Sequence, residues 1–330
     1  MPAKFARTVN DDAVEQQLEQ PDLELQEAGA RGPAPTIGGY HLRQLIGRGG
    51  SSVVYRAIDG RARSRSVVAV KLAIAERCTD PAFRRQFRQQ ARVSAVLDHP
   101  SVLSVIDAGE HRGRPYVVMP HVDGADLRER LLDGLLSVGR ILGLLRQVAA
   151  GLDAMHSSGV LHLDVKPANV LIGRVAQDIG QVPADRAGRA DTDIVGADAG
   201  QQERALLADL GLCRFLADQP VGVGPDFAGS PRYSSPEHLC GRPVRPSADV
   251  YALTCLLFAC LAGQPPYVGG LPAIVTGHLS GRVPSLAALT GLPAGLDRVV
   301  RRGMHPDPGS RYRSCAELVD RARLAILAPA

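Results

Sequence analysis

Apolar and polar residues alternate through residues 40–58 and 65–72. These stretches are rich in Val, Ile and Tyr, and a period of two predicts strands. Residues 81–97 carry helical spacing, and 102–108 and 115–119 read as two further strands. From about residue 125 the pattern changes. A long apolar-periodic helix is predicted over 137–157, with others over roughly 247–263, 293–303 and 314–327. Between them the short apolar runs Val170–Ile172 and Ala205–Ala208 predict the two strands of a hairpin. Strands first and helices later predict an α+β protein in two lobes, a small β-rich one over 38–122 and a larger helical one over 123–327.

Two stretches fall outside this pattern. Residues 1–37 are polar, are broken by Pro21, Pro33 and Pro35, and hold three basic and seven acidic side chains, a net of −4. They are expected to be a disordered tail, with structure beginning near Tyr40. Residues 174–203 hold three basic and six acidic side chains, a net of −3, with no apolar period; a flexible insertion at a hairpin tip is expected. The whole chain of 330 residues is +4, so the remainder carries +11. A basic body with acidic appendages suits binding of nucleotide phosphates and does not by itself indicate nucleic acid.

No run of eighteen apolar residues occurs, and the first residues, MPAKFARTVNDD, lack a signal-like apolar stretch, so no membrane span and a cytoplasmic location are expected. The six cysteines form no Cys-x-x-Cys pair and read as reduced residues.

Chemistry concentrates at a few places. Gly47-Arg48-Gly49-Gly50-Ser51-Ser52 lies between two predicted strands, where glycines let backbone N–H groups approach phosphates. Val-Ala-Val-Lys follows at 68–71, and a lysine on an apolar strand calls for an anionic partner. His-Leu-Asp-Val-Lys-Pro-Ala-Asn at 162–169 sets a carboxylate, a cation and a carboxamide at fixed spacing, and Asp209 of Asp-Leu-Gly follows. Together with Gly-Ser-Pro-Arg-Tyr-Ser-Ser-Pro-Glu at 229–237, these five motifs stand in an order that resembles bacterial Hanks-type, eukaryotic-like serine/threonine protein kinases, from about Tyr40 to Ala325.

The resemblance implies a bilobal kinase fold, ATP and Mg2+ as cofactors with Mn2+ as an alternative metal, protein substrates and autophosphorylation. By position it implies that Ile46, Gly47, Gly49 and Val54 cover the nucleotide and that Ala69 and Leu171 enclose the adenine. Met119 is the expected gatekeeper, with Pro120 to Val122 as hinge. Lys71 is expected at the α- and β-phosphates, Asp164 at the substrate hydroxyl as proton acceptor, Lys166 at the moving phosphoryl group, and Asn169 and Asp209 at the metal. Ser230 is expected to bond near Asp164, Glu237 to pair with Arg311, and Asp249 to anchor the catalytic run. Forkhead-associated proteins and a metal-dependent phosphatase are the partners the resemblance implies, with a monomer or weak dimer as the assembly.

Two departures qualify it. Leu163 stands where many family members have an Arg that clamps a phosphorylated loop, and residues 210–228 contain no Ser, Thr or Tyr. Control by phosphorylation of that central loop is therefore not expected. Gln90 stands where the family places a Glu that pairs with the strand lysine, and Glu76 is the nearest substitute in the sequence. A pseudokinase acting as a nucleotide-binding scaffold is the alternative reading. Finally, Arg84, Arg85, Arg88 and Arg92 line one predicted helix, either as a solvated face or as a dock for an acidic segment.

Overall fold

The structure is a computed structural model, and it describes residues 35–61, 65–134, 136–175, 203–218 and 229–328. The small lobe is built on one antiparallel sheet, whose strands are β1 (Thr36–Ile37), β2 (Tyr40–Arg48), β3 (Ser52–Asp59), β4 (Val67–Ala73), β5 (Asp107–His111) and β6 (Arg114–Pro120). Their order is β1-β2-β3-β4-β6-β5. Period-two alternation gives the sheet two distinct faces. Tyr40, Leu42, Val53, Tyr55, Val70 and Val118 pack into a core on one face. The register Gly47↔Val54↔Lys71↔Val117 and Ala69↔Met119 sets the other set of residues on the opposite face. Helix α1 (Pro81–Ser94) covers part of that second face through Phe83 and Phe87. Its start is fixed by Asp80, whose side chain accepts from the Ala82 N–H, and by Pro81 in the first turn.

The large lobe opens with a small sheet, in which β7 (Val122–Asp126) and β10 (Arg204–Leu207) flank β9 (Val170–Val175). Its helices are α2 (Leu127–Asp133), α3 (Val138–Ser157), α4 (Pro236–Leu239), α5 (Pro246–Ala262), α6 (Leu271–Ser280), α7 (Leu286–Thr290), α8 (Gly295–Gly303) and α9 (Cys315–Leu327). Helix α5 is buried over nearly its whole circumference, with Val250, Tyr251, Leu253, Leu256, Leu257 and Phe258 all in the main core. The short strands β8 (Val160–Leu161) and β11 (Arg214–Phe215) pair beneath the cleft.

Four of the expected segments differ in extent from what is observed. Thr36 and Ile37 join the sheet as β1, and Ile37 is buried, so the tail is shorter than 1–37; residues 1–34 lie outside the described ones. The strand expected over 102–108 begins only at Asp107. Val102 and Leu103 instead reach the large lobe, where Leu103 N–H donates to Leu207 O and Leu207 N–H to Ser101 O, both at 2.8 Å. Helix α1 ends at Ser94, three residues short of expectation. The insertion expected over 174–203 is trimmed at both ends, by β9 at Val175 and by Glu203, and residues 176–202 lie outside the described ones.

Candidate active site

The cleft is assembled from both lobes. Lys71 points from β4 under the sheet, and its Nζ donates to Asp209 Oδ1 at 2.7 Å. Gln90, buried on α1, accepts from the same ammonium at 3.4 Å, and the Phe87 ring lies 5.9 Å away. The carboxamide therefore stands where the sequence placed it, but at the long edge of hydrogen bonding. Glu76 lies in an exposed turn, Ala75–Arg77, and is not among the partners of Lys71. Phe87 was missed in the sequence, although its place three residues before Gln90 puts it on the same stripe of the helix.

The catalytic run is held by Asp249 on α5. Its carboxylate is fully buried and accepts from His162 N–H at 2.9 Å, Leu163 N–H at 2.8 Å and His156 Nε2 at 2.8 Å. Burial alone would raise this carboxyl, but the His156 contact, the nearby His162 ring and the His162 N–H outweigh burial and hold it below the usual range. The grip fixes Leu163 at φ +64°, a left-handed conformation unfavourable for a branched side chain. The side chain is buried with Leu161, Val244 and Ala248. An apolar contact thus fills the place from which an arginine would reach a phosphorylated loop.

Beyond that point the polar groups converge. Asp164 Oδ2 accepts from Asn169 Nδ2 and from Lys166 Nζ, each at 2.8 Å. Lys166 also donates to Ser230 Oγ at 2.8 Å, and Asn169 Nδ2 to Asp164 O at 2.8 Å. Asp164 Oδ1 is buried and has no hydrogen-bond partner among the described residues. Asp209 adopts φ +59° and caps the turn Leu210–Leu212. Burial opposes its charge, yet the Lys71 ammonium, with Lys166 and the Gly211 N–H, holds its carboxyl below the ordinary value.

The remaining sequence-predicted residues lie at the glycine turn, on the sheet face that carries Lys71 and on strands at the lobe boundary. The glycine turn joins β2 to β3, closed by Gly49 N–H donating to Ser52 O at 2.9 Å. A Cβ at Gly50 would meet nothing within 4 Å, and one at Gly47 only Val54. The turn needs its glycines less for the protein's own packing than to keep the space beneath it clear. Gly47, Val54, Ala69 and Met119 share the sheet face of Lys71 by register, and Ile46 is exposed at the rim. Val122 on β7 and Leu171 on β9 are half-buried across the lobe boundary, on paired strands. Distal to the cleft, Arg311 and Glu237 form a bidentate buried pair with both contacts at 2.7 Å. Cys213 is buried, and burial pushes its thiol well up, so it is a packed residue rather than a reactive one.

A protein kinase domain model matches residues 40–274 of this chain. The chain belongs to the protein kinase family. Among curated relatives, the kinase is 35% identical over 296 residues to the serine/threonine-protein kinase PknH of Mycobacterium tuberculosis, covering 89% of this chain and 43% of that protein. It is 34% identical over 292 residues to the serine/threonine-protein kinase PknE of the same organism, covering 88% of this chain and 46% of the relative. The kinase therefore spans less than half the length of these relatives. The crystal structure of the Mycobacterium tuberculosis PknI kinase domain matches with a TM-score of 0.64 at 28% identity, over 88% of this chain and 98% of that one. No helix among the described residues is long and apolar enough to cross a membrane.

Proposed function

We propose that this kinase transfers the γ-phosphoryl group of ATP to serine and threonine hydroxyls of proteins, its own included. The observation that carries the reading is the division of labour within Asp164. One oxygen is occupied by Asn169 and Lys166, and the other is buried and unpartnered among the described residues. That second oxygen is the acceptor for a substrate hydroxyl, which it orients and whose proton it takes as the new O–P bond forms. Lys166 offsets charge on the moving phosphoryl group, and Ser230 steadies its ammonium. Lys71 contributes charge toward the other phosphates from beneath the open glycine turn.

The donors also fit a divalent cation. Asp209 keeps 46% of its side chain exposed to the cleft, and Asn169 turns its amide nitrogen to Asp164, leaving its carbonyl oxygen as a ligand. Hard oxygen donors of this kind hold Mg2+, with Mn2+ as a substitute, and the ion would neutralise phosphate charge. Control does not run through phosphorylation of residues 210–228, which carry no hydroxyl; Leu163, where a clamping arginine is expected, packs with Leu161, Val244 and Ala248 instead.

A second reading, a nucleotide-binding scaffold without turnover, is favoured by Gln90 alone. Purified wild type and Asp164→Asn are compared with labelled ATP, Mg2+ and a basic protein substrate. Wild type is expected to exceed the variant by roughly a thousandfold in kcat. Equal rates at background, with ATP still bound, would establish the scaffold reading instead.

A further inference from the structure

Helix α1 presents two adjacent stripes. Phe83, Phe87 and Gln90 look toward the Lys71 cleft, whereas Arg84, Arg88 and Ala91 look toward a separate groove. Ala108, Gly109 and Pro115 on β5 and β6 close its far side, with Phe87 and Val117 between them. Nothing in the phosphoryl-transfer reading uses this groove. Arg84 is committed to its ion pair with Glu110 and to Gly113 O at 2.9 Å. Arg85 and Arg88 are exposed and have no ion-pair partner among the described residues. The surface is therefore an apolar floor with uncompensated positive charge at its edge.

The described chain begins in the same lobe, at the hairpin of β1 and β2. Gly38 passes so close to Tyr116 that a Cβ there would lie 2.0 Å from the Tyr116 hydroxyl, and one at Gly109 would lie 2.6 Å from the same atom. Tyr116 borders the groove where β6 runs past it, while its side chain lies in the core on the sheet face away from α1. Ahead of Pro35 stand 34 residues, and within them residues 11–27, DDAVEQQLEQPDLELQE, carry seven acidic side chains and no basic one. Val14, Leu18, Leu23 and Leu25 are spaced among the acids.

We propose that residues 11–27 of the same chain dock in this groove, with carboxylates toward Arg85 and Arg88 and aliphatic side chains on the floor of Phe87, Ala91 and Val117. The groove then takes an acidic, leucine-bearing peptide, and the kinase supplies its own. Residues 28–34 suffice as a tether, since an extended chain of that length reaches about 25 Å. Tethering raises the local concentration of the peptide to the millimolar range, on the order expected for a short linker, so a weak contact is occupied.

The test uses the full chain with Leu18→p-benzoylphenylalanine, a photoreactive residue. Irradiation is expected to give links within one molecule that map to residues 84–91 and 108–117. Reversing charge with Arg85→Glu and Arg88→Glu should lower the yield about fivefold, on the scale of two exposed ion pairs. Adding Glu15→Lys and Glu19→Lys to that protein should restore it. Links that fall chiefly on other surfaces, or form only between molecules, overturn the proposal, as does a yield that charge reversal leaves unchanged.

Discussion

A neutral carboxamide at position 90 leaves Lys71 with Asp209 as its close anionic partner, at 2.7 Å against 3.4 Å to Gln90. The lysine is thus drawn onto the carboxylate that the proposed metal needs. Gln90→Glu would offer a second anion on α1 and divide the ammonium between them. About a tenfold rise in kcat/KM for ATP is expected, equivalent to ~1.4 kcal/mol; steady-state kinetics at fixed Mg2+ that show no gain would remove Gln90 as a brake. Leu163 makes the opposite kind of contribution, since it gives up ion pairing for burial. Its left-handed backbone costs about 1–2 kcal/mol, and the Asp249 carboxylate with the apolar contacts must outweigh that. Truncation by Leu163→Ala removes the contacts and keeps the strain, so unfolding free energy should fall by roughly 2–4 kcal/mol in urea titrations.

At the scale of elements, helix α6 is joined to α5 by a buried histidine. His278 Nδ1 and the Tyr251 hydroxyl lie 2.7 Å apart, and the Tyr267 ring packs edge-on with its centroid at 4.7 Å. Burial drives the His278 imidazole down to about 4, against a smaller upward pull from the backbone of Arg232 and Pro231. Between the ordinary histidine value and about 4, the unfolded chain takes up a proton that the folded one refuses. Stability is therefore complete above about pH 6.5 and declines with acid, by roughly 2–3 kcal/mol between pH 7 and 4.5. Denaturant midpoints measured across that range should flatten in His278→Phe. The depressed carboxyls of Asp209 and Asp249 act in a lower window, where their stabilisation is lost as pH falls below the ordinary carboxylate value. The same helix shows where sequence patterning loses resolution. Pro272 and Gly277 are weak helix signals within the sequence of α6, and only Ile274 and His278 are buried, so its apolar period is too thin to see. In contrast α5 and α3 were legible because their apolar positions are dense. Val102 and Leu103 read as strand because they are apolar and extended, yet they serve the joint between lobes, a long-range pairing with Leu207 that no local period encodes. At the site, the resemblance of the motifs to those of protein kinases singled out Lys71, Asp164, Asn169, Asp209 and Gln90. The sharing of Lys166 between Asp164 and Ser230 depends on residues 64 apart and emerged only in three dimensions.

At the scale of the whole molecule, two hydroxyls beside the cleft are already engaged. Ser230 Oγ holds Lys166, and Ser234 Oγ donates to Ser230 O at 3.0 Å. Autophosphorylation is expected elsewhere. Mass spectrometry after incubation with ATP should find it at such residues as Thr8 and Thr192, both outside the described residues, or at Thr36, exposed on β1. Phosphatase treatment should leave the rate unchanged, and a dominant rate-controlling site at Ser230 or Ser234 would count against this view.

The ladder between β9 and β10 has a wider consequence. Gly173 and Arg204 stand directly opposite each other, and Glu203 beside them is gripped by both Arg130 and Arg140. Gln147 Oε1 accepts a further bond from the Ala205 N–H at 3.0 Å. Every one of these ties lies outside residues 176–202. Asp164, Lys166 and Asn169 come from one side of that stretch, and Asp209 and Ser230 from the other. The polypeptide is in effect two halves joined at a seam that noncovalent bonds already close. It is there that a foreign module can be spliced in, or the two halves supplied as separate chains, with the reacting groups meeting only when both are present.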